Sequence, residues 1–125
     1  MKLHLDNAAT RYRITGYAAG RVTVNDETMT RSLIITGNEL VRDWPPRSWE
    51  EITASHLERV LDLRPEVVLL GSGALLRFPE AAVLAPLAQA RIGVEVMDTG
   101  AACRTFNVLV AEGRRVAAAL VLPGD

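Results

Sequence analysis

The spacing of apolar residues divides the chain into two differently patterned parts. In the N-terminal part, short apolar runs predict strands at Tyr12–Tyr17, Arg21–Val24 and Met29–Ile35, with a further extended piece at Glu39–Arg42. Glycines and an Asn-Asp-Glu stretch separate these runs and favour tight turns. This part of the chain is therefore predicted to be antiparallel in character.

The C-terminal part alternates helical spacing with apolar runs. The run Val67–Leu70 is apolar at every position, which is typical of a strand covered on both faces. The α-β-α-β-α-β order predicts an α/β fold of three layers, α/β/α, with a central mixed, largely parallel sheet and an N-terminal antiparallel hairpin region. Helices are predicted at Trp49–Leu63, Glu80–Ala90 and Asp98–Ala111, and strands at Val67–Leu70, Val94–Met97 and Val116–Leu122.

Local signals mark the ends of these helices. Ser48 and Glu51 have the spacing of a capping box before the first helix. Pro86 removes one hydrogen bond from the second helix, which is predicted to start late or to kink. Asp98 is predicted to cap the third helix, and Gly113 to end it.

Length and charge narrow the class of protein. We expect a single domain, residues 1–125, which is long enough to bury a core without a disulfide or a metal. The formal net charge of −1 gives no general attraction to nucleic acid, so no nucleic-acid partner is predicted. The N-terminus lacks the apolar core of a secretory signal, and no run approaches the ~20 apolar residues of a membrane helix. We therefore expect a cytoplasmic protein without membrane insertion.

The scarcity of cysteine and histidine argues against a metal site. Cys103 is the single cysteine, and His4 and His56 are the only histidines. No metal and no cofactor are predicted. Cys103 lies near the start of the third helix, where the helix dipole favours a thiolate, but neither histidine is close in sequence to act as its base. Burial of Cys103 is the favoured interpretation, and catalysis is the alternative.

The segment Gly71-Ser72-Gly73 follows an apolar strand, as phosphate-binding turns do. A dinucleotide fingerprint needs a third glycine at the sixth position, where this chain has Leu76. A structural turn is therefore favoured over a nucleotide site. If the strands ending at Leu70 and Met97 are parallel neighbours, their carboxyl ends form a polar rim suited to a small polar or anionic ligand. The candidate residues of this polar rim are Gly71, Ser72, Gly73, Arg77, Asp98, Thr99, Cys103 and Asn107.

Two tryptophans flank the Pro45-Pro46 pair. Trp44 and Trp49 form the candidate partner surface, because exposed tryptophans are favoured interface anchors. The alternative is that they are buried under the first helix.

The C-terminal segment VEVMDTGAACRTFNVLVAEGRRVAAALVLP, at residues 94–123, resembles the small-domain family that includes the mitochondrial NADH dehydrogenase (complex I) assembly factor three and the adipogenesis-associated protein of the same fold. The similarity covers nearly the whole chain. The matching residues are Asp98-Thr99, Ala102-Cys103, Thr105-Phe106-Asn107, Glu112-Gly113-Arg114 and Ala118-Ala119-Leu120, with Trp44, Ile52-Thr53, Arg64-Pro65 and Leu70-Gly71-Ser72-Gly73 upstream in the same order.

The resemblance implies a three-layer α/β/α domain with a mixed sheet, and a family for which no enzymatic activity is established. Its mitochondrial member acts as a protein-binding assembly factor. Ser72 stands where relatives often have threonine and retains the hydroxyl. The targeting extension of the mitochondrial member is not seen in this sequence, so its organelle is not carried over.

Two functions from different classes follow. The leading hypothesis is a non-enzymatic interaction or assembly-factor module with a protein partner, acting as a monomer or a homodimer. The competing hypothesis is a small-molecule-binding protein or an enzyme that uses the polar rim.

Overall fold

The N-terminal strands form a small antiparallel sheet. The computed structural model of the protein describes residues 10–122. Strands β1 (Ile14–Ala18), β2 (Arg21–Val24) and β3 (Glu27–Met29) pair in the order β1-β2-β3. The turn between β2 and β3 places Asn25 and Asp26 at positive φ, a conformation that these two residue types tolerate well.

The remaining strands form a five-stranded mixed sheet. They are β4 (Leu33–Thr36), β5 (Leu40–Val41), β6 (Val67–Gly71), β7 (Gly93–Met97) and β8 (Val116–Leu120), in the order β5-β4-β8-β6-β7. Strands β8, β6 and β7 are parallel, whereas β4 runs antiparallel to both β8 and β5. The predicted mixed, largely parallel sheet is confirmed.

Within residues 10–122, three α-helices cover the two faces of this sheet. They are α1 (Ala54–Leu61), α2 (Ala81–Gln89) and α3 (Thr99–Ala111). Because successive strand residues point to opposite faces, Val68 and Leu70 pack with the residues of α1 and α2, whereas Leu69 packs with α3 and the small sheet. The result is three layers: α1 with α2, the five-stranded sheet, and α3 with the small sheet. The helix order predicted from the sequence is confirmed, and α2 continues through Pro86.

The strand predicted at Met29–Ile35 is wrong as a single element. Its first residue belongs to β3 in the small sheet, and its last residues belong to β4 in the five-stranded sheet. Ser32, which lies between them, is buried: its hydroxyl accepts from Leu122 N at 2.9 Å and donates to Leu122 O at 3.4 Å. This contact with a residue 90 positions away turns the chain from one sheet into the other.

The start of the first helix and its predicted cap are also wrong. Residues Trp49–Glu51 form a 3-10 turn, and the helix begins only after Thr53. The Ser48 side chain makes no capping hydrogen bond, and Glu51 Oε1 accepts from Arg47 N at 3.0 Å, one residue before the predicted cap. The capping box is formed by Thr53, whose backbone N–H donates to His56 Nδ1 at 3.0 Å.

This cap makes the stability of the protein depend on the charge of His56. Burial lowers the pKa of His56 below its ordinary value of 6.5. Only the neutral ring accepts a hydrogen bond, since both nitrogens of the charged ring are donors. We expect the free energy of unfolding to fall as the pH decreases below about 6.5 through the lower folded-state pKa.

The test compares the wild type with His56→Gln, measured by urea denaturation from pH 7.5 to 5. Glutamine at this helix position retains an acceptor but does not titrate, so the variant is expected to lose that part of the pH dependence. His4 is present in both proteins and cancels in the difference. Identical pH profiles would show that the cap does not depend on His56 protonation.

Candidate functional site

The glycine turn and the start of α3 meet at the carboxyl ends of β6 and β7, whereas Cys103 and Asn107 of the predicted polar rim lie further along α3. These strands are parallel neighbours, and Gly71 is in register with Met97. Ser72 and Gly73 therefore lie beside Thr99 at the start of α3, and Ser72 N donates to Met97 O at 2.9 Å. The structure thus brings the two halves of the rim together.

Thr99 connects the glycine turn to the start of α3. Its backbone N–H donates to Gly73 O at 2.9 Å, and its Oγ1 accepts from Gly73 N at 2.8 Å. The same hydroxyl donates to Val121 O at 3.2 Å, and the residue is fully buried. Its hydroxyl proton and an oxygen lone pair are thus engaged within the protein.

Gly71 is required by packing. A Cβ atom at this position would lie 3.0 Å from both Leu120 Cδ2 and Thr99 Oγ1, and 3.1 Å from the backbone Cα of Thr99. Contacts this short are tighter than nine in ten of those that a real Cβ atom makes, so a larger residue would require its neighbours to shift by a few tenths of an ångström. The first glycine of the turn is thus accounted for by the close approach of α3 to β6.

Ser72 and Arg77 hold the loop between β6 and α2. The buried Ser72 hydroxyl donates to Leu75 O at 2.6 Å and accepts from Arg77 N at 3.1 Å. The Arg77 guanidinium forms an ion pair with Glu50, with 2.6 Å between Nη1 and Oε2. The pKa of the Glu50 carboxyl is lowered, first by a hydrogen bond with the Glu50 backbone and then by Arg77.

Asp98 is the N-cap of α3, as predicted. Its Oδ1 accepts from Ala101 N at 2.9 Å, so the carboxylate stabilises the helix terminus. The next residue but one, Gly100, lies against the ring of Tyr17. Burial of the phenol, followed by the nearby Cys103 and Asp98, raises the pKa of Tyr17.

Cys103 lies on the inner face of α3 and is buried, as the favoured interpretation of the sequence had it. Desolvation raises the pKa of its thiol to about 12, far outweighing the opposing attraction of Arg104. The thiol is therefore protonated at neutral pH, which is unfavourable for a nucleophile.

Asn107 joins α3 to the small sheet. Its Oδ1 accepts from Ile14 N at 3.1 Å and its Nδ2 donates to Ile14 O at 2.7 Å, across 93 residues of sequence. The amide thus satisfies both backbone groups of a β1 residue, as a neighbouring strand would. Both of its polar atoms serve the fold.

The tryptophans are not exposed, which corrects the predicted partner surface. Trp44 is 2% and Trp49 is 8% exposed, and both pack in the core on the α1 and α2 side of the sheet. Trp44 Nε1 donates to His56 O at 3.1 Å. The alternative interpretation, burial under the first helix, is the one that the structure supports.

An exposed apolar loop was missed from the sequence. Leu75, Leu76 and Phe78 follow the glycine turn and are 74%, 53% and 72% exposed. We call these three residues the apolar loop. The signal was present as an apolar run between a glycine turn and a proline, in a segment that belongs to neither a helix nor a strand.

Two clefts lie away from the polar rim. The larger, of about 710 Å³, is lined by residues of the small sheet, the β3–β4 connection and the Pro45-Pro46 loop. The smaller, of about 260 Å³, lies near the C-terminal end of α3. Neither cleft is lined by a residue of the polar rim.

Metal and membrane features are not found in the described part of the chain. Within residues 10–122, no group of three or more His, Cys, Asp or Glu side chains could hold a metal ion. Among the same residues, every helix is too short or too polar to cross a bilayer.

The Thr99 hydrogen bonds generate a test of the structural role of the rim. In Thr99→Ala, the buried Gly73 N–H loses its acceptor, so we expect the free energy of unfolding to fall by about 1–3 kcal/mol more than it does in Thr99→Ser. Thr99→Ser keeps the hydroxyl and removes one methyl group, and is expected to cost about 1 kcal/mol. Urea denaturation of both variants measures the difference. Equal stability of the alanine and serine variants would contradict this role.

The chain matches a family model described as "Protein of unknown function (DUF498/DUF598)" over residues 14–121. It is also similar to a solved structure, the crystal structure of a Bordetella parapertussis protein. The identity is 37%, the TM-score is 0.86, and the match covers 92% of this chain and 98% of that one. The strand and helix arrangement described above is therefore shared with an experimentally determined fold.

Two curated relatives carry names that concern function or location. The "13 kDa major membrane protein" of Francisella tularensis is 28% identical over 84% of this chain and 86% of its own length. The "NADH dehydrogenase [ubiquinone] 1 alpha subcomplex assembly factor 3" of Bos taurus is 34% identical over 78% of this chain. The match spans 60% of the length of that assembly factor.

Proposed function

The chain belongs to the DUF498/DUF598 family, and we propose that it is a non-enzymatic interaction module of the assembly-factor kind. Its partner is a protein with an apolar surface that stays exposed until that protein enters a larger complex, in the manner of a respiratory-complex subunit. The observation that carries this proposal is the apolar loop. Leu75 and Phe78 each expose more than seven tenths of their surface. They lie in a segment whose backbone is hydrogen-bonded to Ser72 at Leu75 and Arg77.

The loop is held in place by polar contacts, which favours recognition. Ser72 binds backbone groups of Leu75 and Arg77, and Arg77 pairs with Glu50 beside the 3-10 turn. An apolar surface that is already ordered loses less conformational entropy on binding than a flexible one. Contiguous exposed apolar patches mark sites of interaction with proteins or membranes, and also ligand-binding grooves.

The polar rim supports the same conclusion by a different route. The hydroxyls of Ser72 and Thr99 and the side-chain amide of Asn107 bind backbone groups of the protein itself. A ligand at this rim would compete with those hydrogen bonds. The rim in this proposal is the scaffold that supports the loop.

The name of one relative is in keeping with an interaction role. The Bos taurus relative is named as an assembly factor of NADH dehydrogenase. For this chain we infer a cytoplasmic protein, monomeric or homodimeric, that binds its partner with the apolar loop. Because the Francisella relative is named as a membrane protein, binding of the apolar loop to a membrane is the alternative that the test must distinguish from binding to a protein.

The test removes the apolar side chains while leaving the scaffold intact. The triple variant Leu75→Ser, Leu76→Ser, Phe78→Ser is expected to keep its free energy of unfolding, since these side chains are largely in solvent. Val108→Ser is the matched control, because Val108 is 55% exposed on α3, outside the loop. Tagged wild type, triple variant and control are expressed at native level, and the bound proteins are quantified by mass spectrometry.

We expect a defined partner, such as a respiratory-complex subunit, to be recovered with the wild type and the control. Its recovery should fall at least tenfold with the triple variant. Binding of the purified partner should show the same order. The proposal is wrong if recovery is equal in all three proteins, or if the loop is needed only for binding to lipid vesicles.

A further inference from the structure

The larger cleft, which contains no residue of the apolar loop, is rich in arginine. Three of the residues that line it are Arg21, Arg31 and Arg47. They come from three different segments: the start of β2, the connection between β3 and β4, and the loop that leads to the 3-10 turn. We call this site the arginine cleft.

The three guanidinium groups have no carboxylate partner in the described chain. The arginines that form ion pairs within residues 10–122 are Arg42, Arg59, Arg77 and Arg114, and none of these lines the cleft. The acidic residue of the lining is Asp43, so positive charges exceed negative ones by three to one. This local excess occurs in a protein whose formal net charge is −1.

The walls of the cleft are already ordered. Ser32, which is buried between Arg31 and β4, binds both backbone groups of Leu122. Trp44 N donates to Ser32 O at 3.2 Å, and the Trp44 indole is bonded to α1. Arg31 and Asp43 each come directly before a residue that is fixed by hydrogen bonds, so the backbone of these walls needs little further ordering when a ligand binds.

The chemistry of the lining selects an anion. A guanidinium presents a planar fork of donors that matches the oxygens of a phosphate. The Thr30 side chain adds a hydroxyl, and Ala19 and Pro45 add exposed apolar surface. A volume of about 710 Å³ is much larger than a phosphate ion and falls within the ~300–1,000 Å³ range of small-molecule sites.

We propose that the arginine cleft binds the phosphate group of a phosphorylated organic molecule, with the organic part against Ala19 and Pro45. The group comes either from a soluble phosphomonoester or from the headgroup of an anionic lipid. This site is independent of the partner that the apolar loop binds.

The test uses phenyl phosphate as the soluble probe, at 0.15 M salt to screen exposed charges. Saturable shifts of the Gly20, Arg31 and Arg47 backbone amide signals are expected by NMR. The double variant Arg21→Gln, Arg31→Gln should bind at least tenfold more weakly. The single variant Arg31→Gln should bind several-fold more weakly. Arg104→Gln, which removes the same single charge from an exposed position on α3, should bind like the wild type. Vesicles with and without phosphatidylglycerol form the second arm, with the same variants.

Each outcome decides the proposal. Cleft-dependent shifts with phenyl phosphate support a soluble ligand. Vesicle binding that needs phosphatidylglycerol and is lost in the double variant, without shifts from phenyl phosphate, supports a lipid headgroup. The proposal is overturned if neither probe binds, or if Arg104→Gln weakens binding as much as the cleft variants, since binding would then follow overall charge.

Discussion

The close approach of α3 to the end of β6 is the constraint on which the rest of the structure depends. Gly71 has no side chain, so the backbone of Thr99 can lie against it, and the two hydrogen bonds between Thr99 and Gly73 close the contact. This fixes the first turn of α3, which in turn carries Asn107 to the β1 strand. The apolar loop follows Gly73. The Ser72 hydroxyl donates to Leu75 O there, and the Leu75 side chain is exposed to solvent.

The layered architecture could be predicted because it depends on local patterns. The apolar runs of β6 and β8, the helical spacing of α1 to α3, and the Asp98 cap each follow from neighbouring residues. The break between β3 and β4 could not be predicted, because it depends on Ser32 meeting Leu122. The capping box was misplaced because a histidine nitrogen, at His56, takes the place of the usual Glu or Gln.

The sequence predicts the position of the glycine turn and the α3 cap better than it predicts the role of their side chains. The sequence placed Ser72, Thr99 and Asp98 at one edge of the sheet, but their residue types are equally suited to binding a ligand and to satisfying buried backbone. Which of the two they do depends on partners such as Val121 O and Leu75 O, which only the fold reveals. The apolar loop is not evident from the sequence because apolar residues usually belong to the core. The tryptophans are predicted outside for a different reason, that exposed tryptophans are favoured interface anchors.

The claim that the glycine turn is a structural junction is tested most directly by amide hydrogen exchange. The Gly73 and Thr99 amides donate to Thr99 Oγ1 and Gly73 O, whereas Leu75 and Leu76 lie in the loop beyond. The account predicts that the first two amides exchange only when the whole protein unfolds, and that the two loop amides exchange rapidly. Exchange of Gly73 and Thr99 as fast as the loop would contradict the account, because the turn would then be open and available to a ligand.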